Sequence, residues 1–303
     1  MFAAPPSVEA EVFAVIPDEF RRGDAPSDWA KVQVFGAPTP VFLEGPVFDG
    51  AGNLWVTDIP WGRLFKITPA GEVSIGLEYD GNPNGMKFLG DGTAIIADYR
   101  RGLMRFYPES GEVAIWFDRY RLEPFKGCND LTVAKNGDIW FTDQGQSSLA
   151  DPSGRVYRVR KADGEVELML DGLPGPNGLV FTADEGALLI AMTRANAIWK
   201  LMLHEGGRPG KLGTWVQMQG GTGPDGLAID EDGNVVVCHF GLGSVWAFSK
   251  QGEPLLRIRC GEHTHTTNCA YGGPDNRTLF ITESASGTIF RTQLPVPGRK
   301  LLD

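Results

Sequence analysis

Six polar side chains recur at one position of a repeating unit, and their types suit a hard cation: Glu44, Asn84, Asn129, Asn177, Asp225 and Asn268. Each opens a similar run: EGPVFDGAGNLWVTD, NGMKFLGDGTAIIAD, NDLTVAKNGDIWFTD, NGLVFTADEGALLIAM, DGLAIDEDGNVVVCH and NCAYGGPDNRTLFITE. Carboxylates and amide oxygens around one point make an all-oxygen site, suited to Ca²⁺, Mg²⁺ or Mn²⁺ rather than to thiophilic metals. Glu44 and Asp225 would balance the charge of one divalent ion, and Asn129 and Asn177 would add neutral carbonyl oxygens. Open positions would take water and a substrate oxygen, where the ion can polarise a carbonyl or phosphoryl group. A purely local reading stands beside this one, since Asn or Asp before Gly is common at turns and tolerates left-handed backbone. It accounts for any single copy, and less well for the agreement of six.

The copies begin 40, 45, 48, 48 and 43 residues apart. A four-stranded unit of that period is the signature of a propeller blade. The expected fold is therefore all-β: a six-bladed β-propeller with four antiparallel strands per blade, its ring closed by an N-terminal strand. Innermost strands line the central channel, so the six polar starts would converge on one axis. The clearest strand of each copy, expected third in its unit, ends at Asp58, Asp98, Asp143, Met192, His239 or Glu283. Residues 1–30 read as an N-terminal extension, a lid or an outer strand; 31–294 as a single propeller; 295–303 as a tail. Of the two β-like runs before the first copy, one within 8–22 and one at 31–36, the second is the preferred ring-closing strand.

Composition narrows the partners. Across 303 residues the 40 Gly and 21 Pro are scattered at turns, and the formal net charge is −10. That balance argues against nucleic acid or an anionic membrane surface. No apolar run reaches the roughly 18 residues of a membrane-spanning helix. The N-terminus lacks a basic leader, and Cys128, Cys238, Cys260 and Cys269 show no paired spacing, so a cytoplasmic protein with reduced thiols is expected. It would act on a small molecule, as a monomer or small homo-oligomer.

The motifs EGP (Glu44–Pro46), CND (Cys128–Asp130), PNGL (Pro176–Leu179) and PDGLAID (from Pro224), with WFTD and GGPDNRTLFITE, occur here in one order. In these the chain resembles the senescence-marker-protein/gluconolactonase/luciferin-regenerating family of six-bladed propellers, over roughly residues 40–294. The resemblance implies a metal-dependent hydrolase with one divalent cation, Ca²⁺ first and Zn²⁺, Mg²⁺ or Mn²⁺ as alternatives. Glu44, Asn177 and Asp225 would hold it, and Asn129 would be a fourth ligand or a substrate contact. The implied reaction opens a lactone, typically of a sugar acid, by metal-activated water, with Asp225 as base, nucleophile or ligand. Some relatives hydrolyse phosphotriesters. A second, structural calcium of the diisopropyl fluorophosphatase branch falls on Ala228 and Ala270 here and is not expected. The sugar-lactonase branch carries an Arg two residues before the substrate-contacting Asn; Gly127, beside Lys126, stands there instead, so a lactone with a less polar tail fits as well.

Other candidates for the channel mouth are Asn84, Tyr99, Asp143, Arg194, His239, His265 and Trp61. Arg100 or Arg194 could grip a substrate carboxylate, against the plainer reading of a surface ion pair. Trp61 is a pocket wall or a loop anchor. His239 and His265 titrate near neutral pH and could touch substrate or carry a proton. The His263-x-His265 pair lacks a further ligand for zinc, and His204 reads as solvated. The competing functions are a phosphotriesterase or promiscuous esterase on the same metal site, and a propeller that only binds, since fold does not decide function.

Overall fold

Each of the first five copies folds as an inner strand, a tight turn, and three further antiparallel strands, and the sixth supplies three strands in all. The computed structural model describes residues 4–300 apart from Asp24. Blade one is Leu43–Phe48, Leu54–Asp58, Arg63–Ile67 and Val73–Glu78, paired in that order. The inner strands of blades two to six are Pro83–Phe88, Cys128–Val133, Pro176–Phe181, Gly223–Ile229 and Thr266–Gly272. Each inner strand touches the next, and the sixth touches the first, so the ring is closed. The strand expected third in each unit stands second, because the inner strand and its turn use all the residues before it.

Side-chain alternation builds the core. In Leu54–Asp58, Leu54 and Val56 face Phe280 and Ile289 of blade six, whereas Trp55 faces Met86 and Ile96 of blade two. Both faces of the strand are thus buried between neighbours, as sheets packed face to face require. Cys128, Cys238, Cys260 and Cys269 are free thiols within these layers. Among the described residues no helix is long and apolar enough to cross a membrane.

Closure uses an N-terminal strand, but not the preferred one. Glu11–Val15 pairs antiparallel with Thr288–Gln293 and completes blade six, and Ser7–Glu9 runs parallel to Pro254–Arg259 of blade five. Residues 31–36 form no strand, because Asp28–Gln33 is a helix whose first turn is capped by Ser27 Oγ accepting from the Ala30 amide. The difference lies in what each run can bury. Ala14 and Ile16 enter the core beside Ile289, whereas Lys31, Val32 and Phe35 remain exposed. The helix lies beside the start of blade one, with Trp29 packed on Phe42 at 4.9 Å between ring centroids.

Candidate metal centre

All six inner strands carry a register shift at the same place, between Glu44 and Val47 in blade one and at the equivalent residues of the others. A bulge breaks alternation and re-aims the side chains beside it. Here it lies at the start of every channel-lining strand, where Glu44, Asn84, Asn129, Asn177, Asp225 and Asn268 are all buried. The second strands supply the supports. Thr57 Oγ1 donates to the Asn84 carbonyl at 2.8 Å, and Thr142 Oγ1 to the Asn177 carbonyl at 2.9 Å, each fixing the ring residue of the following blade.

The asparagines divide into two kinds. Asn129 donates its amide to Gln144 Oε1 (3.3 Å) and Asn177 donates to Thr193 Oγ1 (3.2 Å), yet the Oδ1 of each is buried without a partner. Asn84 Oδ1 is equally unpartnered. A buried carbonyl oxygen left unpaired is costly, so the three ring amide oxygens suit a group that accepts lone pairs. Asn268 differs: its amide donates to Glu44 Oε2 at 2.8 Å and reaches Asp130 Oδ2 at 3.4 Å, and its Oδ1 accepts from the Cys269 amide. It braces carboxylates and has no oxygen to spare.

Charge makes the same point. Burial, then the charge of Asp130, pushes Glu44 up to about 7. Burial, then Glu44 and Asp130, pushes Asp225 well above the usual carboxylate range, against a hydrogen bond from Asn177. Burial also raises Asp130. Three acids thus share one dry space. Among the described residues, no three His, Cys, Asp or Glu side chains gather closely enough to hold an ion by themselves. A cation here would depend on the amide oxygens, and the donor set of Glu44, Asn129, Asn177 and Asp225 fits a hard divalent ion.

Asp130 is the residue that the repeat pattern missed. Simple alternation from Asn129 would send it out of the channel; the bulge between Cys128 and Leu131 turns it in. A signal existed, because this position is Gly in four copies and Cys in one, and charged only in the third.

The mouth candidates lie at separate places. Both oxygens of Asp143 accept backbone N–H groups, from Lys126 and Gly127 (3.0 and 2.7 Å), and leave none for a substrate. His239 is buried with Nε2 on the Gly220 carbonyl (2.8 Å), and burial pulls its imidazole down towards the neutral form. Trp61 anchors a loop through Nε1 to the Thr39 carbonyl. Arg100 pairs with Asp80 at the surface. His265 is half-exposed, 4.7 Å from the Phe240 ring, with Nδ1 4.0 Å from Glu283. Arg194 is exposed, feels Asp225, and makes no ion pair among the described residues. Tyr99 accepts from Gln146 Nε2 (2.5 Å) and lays its ring over Gly127, where a Cβ would sit 2.6 Å from Cε2. With φ at +154°, that position is closed to a side chain on two counts. Lys126 beside it is tied to the Ser153 carbonyl.

Residues 42–285 match the SMP-30/Gluconolactonase/LRE-like region family. The chain belongs to this family. It is similar to a gluconolactonase of Zymomonas mobilis subsp. mobilis, 31% identical over 82% of this chain and 78% of that one. A lactonase drp35 of Staphylococcus aureus is 28% identical over 71% of this chain and 69% of that one. The crystal structure of a calcium-binding protein, regucalcin, from Agrobacterium tumefaciens superposes with a TM-score of 0.79 over 99% of both chains at 21% identity. At that identity the likeness speaks for the fold alone. The matched span holds every residue of the candidate centre, from Glu44 to Asn268.

Proposed function

We propose that this member of the family is a divalent-cation-dependent hydrolase that opens a lactone ring at the inner-strand starts of its channel. The observation that carries the reading is the set of three buried, unpartnered amide oxygens beside mutually repelling carboxylates. Glu44, Asn129, Asn177 and Asp225 would hold the ion, with Ca²⁺ suited to an all-oxygen donor set. When bound, it would supply charge for the carbonyl oxygen as it becomes an oxyanion, and acidify water in the site. Asp225, steadied by Asn177, is the group to take a proton from the attacking water, a role worth typically 10²–10⁴-fold (an order-of-magnitude range). The relatives named gluconolactonase and lactonase support a lactone as substrate.

The mouth favours a substrate with little polar decoration on one side. Tyr99 over Gly127 presents a ring where a basic side chain cannot fit. Arg194, exposed and without an ion pair among the described residues, is the group to meet a polar or anionic substituent on the other side.

The test is turnover of a panel of small lactones by chelator-stripped protein, with Ca²⁺, Mg²⁺, Mn²⁺ and Zn²⁺ restored singly. Activity returning with one ion supports the reading, and the panel's order reports the mouth. Ion binding without lactone turnover would turn attention to phosphotriesters. Neither binding nor turnover would leave a binding propeller.

A further inference from the structure

Blades five and one are not neighbours, yet an aromatic side chain from each meets the other over the blade that separates them. Phe240 ends the second strand of blade five (Val235–Phe240), and Phe42 comes just before the inner strand of blade one. Their ring centroids are 6.3 Å apart. The inner strand of blade six runs between the two: Thr266 Oγ1 donates to the His239 carbonyl (3.2 Å) and Thr267 Oγ1 to the Leu43 carbonyl (2.7 Å). The rings therefore lean towards each other across the start of that strand. His265, the residue before it, lies 4.7 Å from Phe240, and Trp29 of the N-terminal helix lies 4.9 Å from Phe42. Trp29, Phe42, Phe240 and His265 thus make a row of four rings over blades one, six and five.

The row stands at the starts of the strands that carry the candidate centre. Phe42 is two residues before Glu44, and Leu43 between them is buried in the core, so alternation ahead of the bulge sends Phe42 and Glu44 to the same side. Phe240 pairs with Gly223, two residues before Asp225, and His265 is three before Asn268. All four rings are half-exposed, and among the described residues none joins the packed core of a blade. Aromatic rings gathered at a site without core duty are what a pocket uses to hold an apolar group. A plainer reading has the row only seat the helix through Trp29. It leaves Phe240 unexplained, because among the described residues that ring pairs with Phe42 and His265 and not with Trp29. Opposite blade one, blade four offers the exposed Arg194 instead. We propose that Trp29, Phe42 and Phe240 form an aromatic shelf that binds an aryl substituent of the substrate, selecting aryl-substituted lactones over hydroxylated ones. This rests on the lactone-hydrolase reading above.

The experiment compares a δ-lactone carrying a phenyl group with the same ring carrying hydroxyls, as substrates for wild type, Phe240→Ala and Phe240→Tyr with Ca²⁺ present. The matching δ-lactams, which keep the shape but resist ring opening, are titrated by calorimetry. Wild type should prefer the phenyl member of both pairs. Phe240→Ala should lose about tenfold of that preference, the size of one aromatic contact with its buried area, mainly in KM and lactam affinity rather than in kcat. Phe240→Tyr should keep it. If Phe240→Ala fails to fold, Phe240→Leu carries the same direction. No phenyl preference in wild type overturns the inference, as does a preference that Phe240→Ala retains in full. Selective lactam binding without turnover of any lactone is a different result, which supports the shelf and overturns the hydrolase reading.

Discussion

Glu44 couples the acidic channel to stability, and removing its charge should make the metal-free protein more stable in alkali. Burial and the neighbouring Asp130 raise its carboxyl from 4.5 to about 7. Between those pH values the folded, metal-free chain keeps a proton that the unfolded chain has released. Folding stability is therefore lost as pH rises through the window, most of it by pH 8. A gap of about 2.5 pH units, at about 1.4 kcal/mol each, amounts to roughly 3 kcal/mol. For a chain of this size that is about 6 °C in Tm, at roughly 2 °C per kcal/mol. Glu44→Gln keeps a carbonyl that can accept from Gly45 and Asn268, as Oε2 does now at 2.7 and 2.8 Å.

In chelator, the two proteins should melt together near pH 5, and the variant should melt about 6 °C higher at pH 8. Asp58, pushed up to about 6 by burial despite Arg63, adds a similar slope to both and cancels in the difference. Adding Ca²⁺ should reverse the order at pH 8, because only wild type offers the full pair of carboxylates to a ligand that binds the folded state. Parallel melting curves for the two proteins from pH 5 to 8 in chelator would refute the reasoning, since Glu44 would then titrate as it does in water.

Three further outcomes follow from other contacts of the structure. Asp225→Asn should lower lactone turnover by about a thousandfold and abolish the Ca²⁺-induced rise in Tm, while far-ultraviolet circular dichroism stays unchanged. Gly127→Arg should destabilise the fold by roughly 2 kcal/mol because Tyr99 occupies the space and the backbone is strained there; thermal melts should show Tyr99→Ala restoring part of the loss. Arg63→Met leaves Asp58 buried without its cation and frees the Phe20 carbonyl, so denaturant titration should show a loss of roughly 3–5 kcal/mol.

The propeller was legible because its period, its Asp-Gly and Asn-Gly turns and its polar starts recur together. What resisted reading was set by geometry that a linear pattern does not carry. The run KVQVFG (31–36) alternates well enough for a strand. Its fate was decided upstream, where Ser27 caps a helix, and by the better apolar offer of Ala14 and Ile16. Asp130 was hidden for a related reason: a bulge decides which side chains meet the channel. The ring positions were legible, but the split between Asn268, whose amide is spent on Glu44, and Asn129 or Asn177, whose oxygens are unpaired, depends on three-dimensional partners.

The same residue type serves two ends in this repeat, and the placing of hydrogen bonds on the two carboxylate oxygens separates them. Asp58, Asp98, Asp143 and Glu283, at the ends of second strands, each accept backbone N–H groups from the loop that leads into an inner strand. Their charge is met by oriented dipoles, and Asp58 adds Arg63, so they need no ligand to stay folded. Glu44 accepts one backbone N–H and one amide, Asp130 one backbone N–H and a long amide contact, and both lie near Asp225. Both donors to Glu44 fall on Oε2 and the second donor to Asp130 is long, whereas each structural acid has a donor on both oxygens. That difference, rather than the number of acids, separates the structural pins from the proposed cation site. It explains why Asp143, which looked like a mouth residue in sequence, is spent on the backbone, while Asp130, one residue after a ring asparagine, is not. Moving a single N–H donor towards Asp130 should therefore weaken Ca²⁺ binding at the proposed site without touching any of its four proposed ligands.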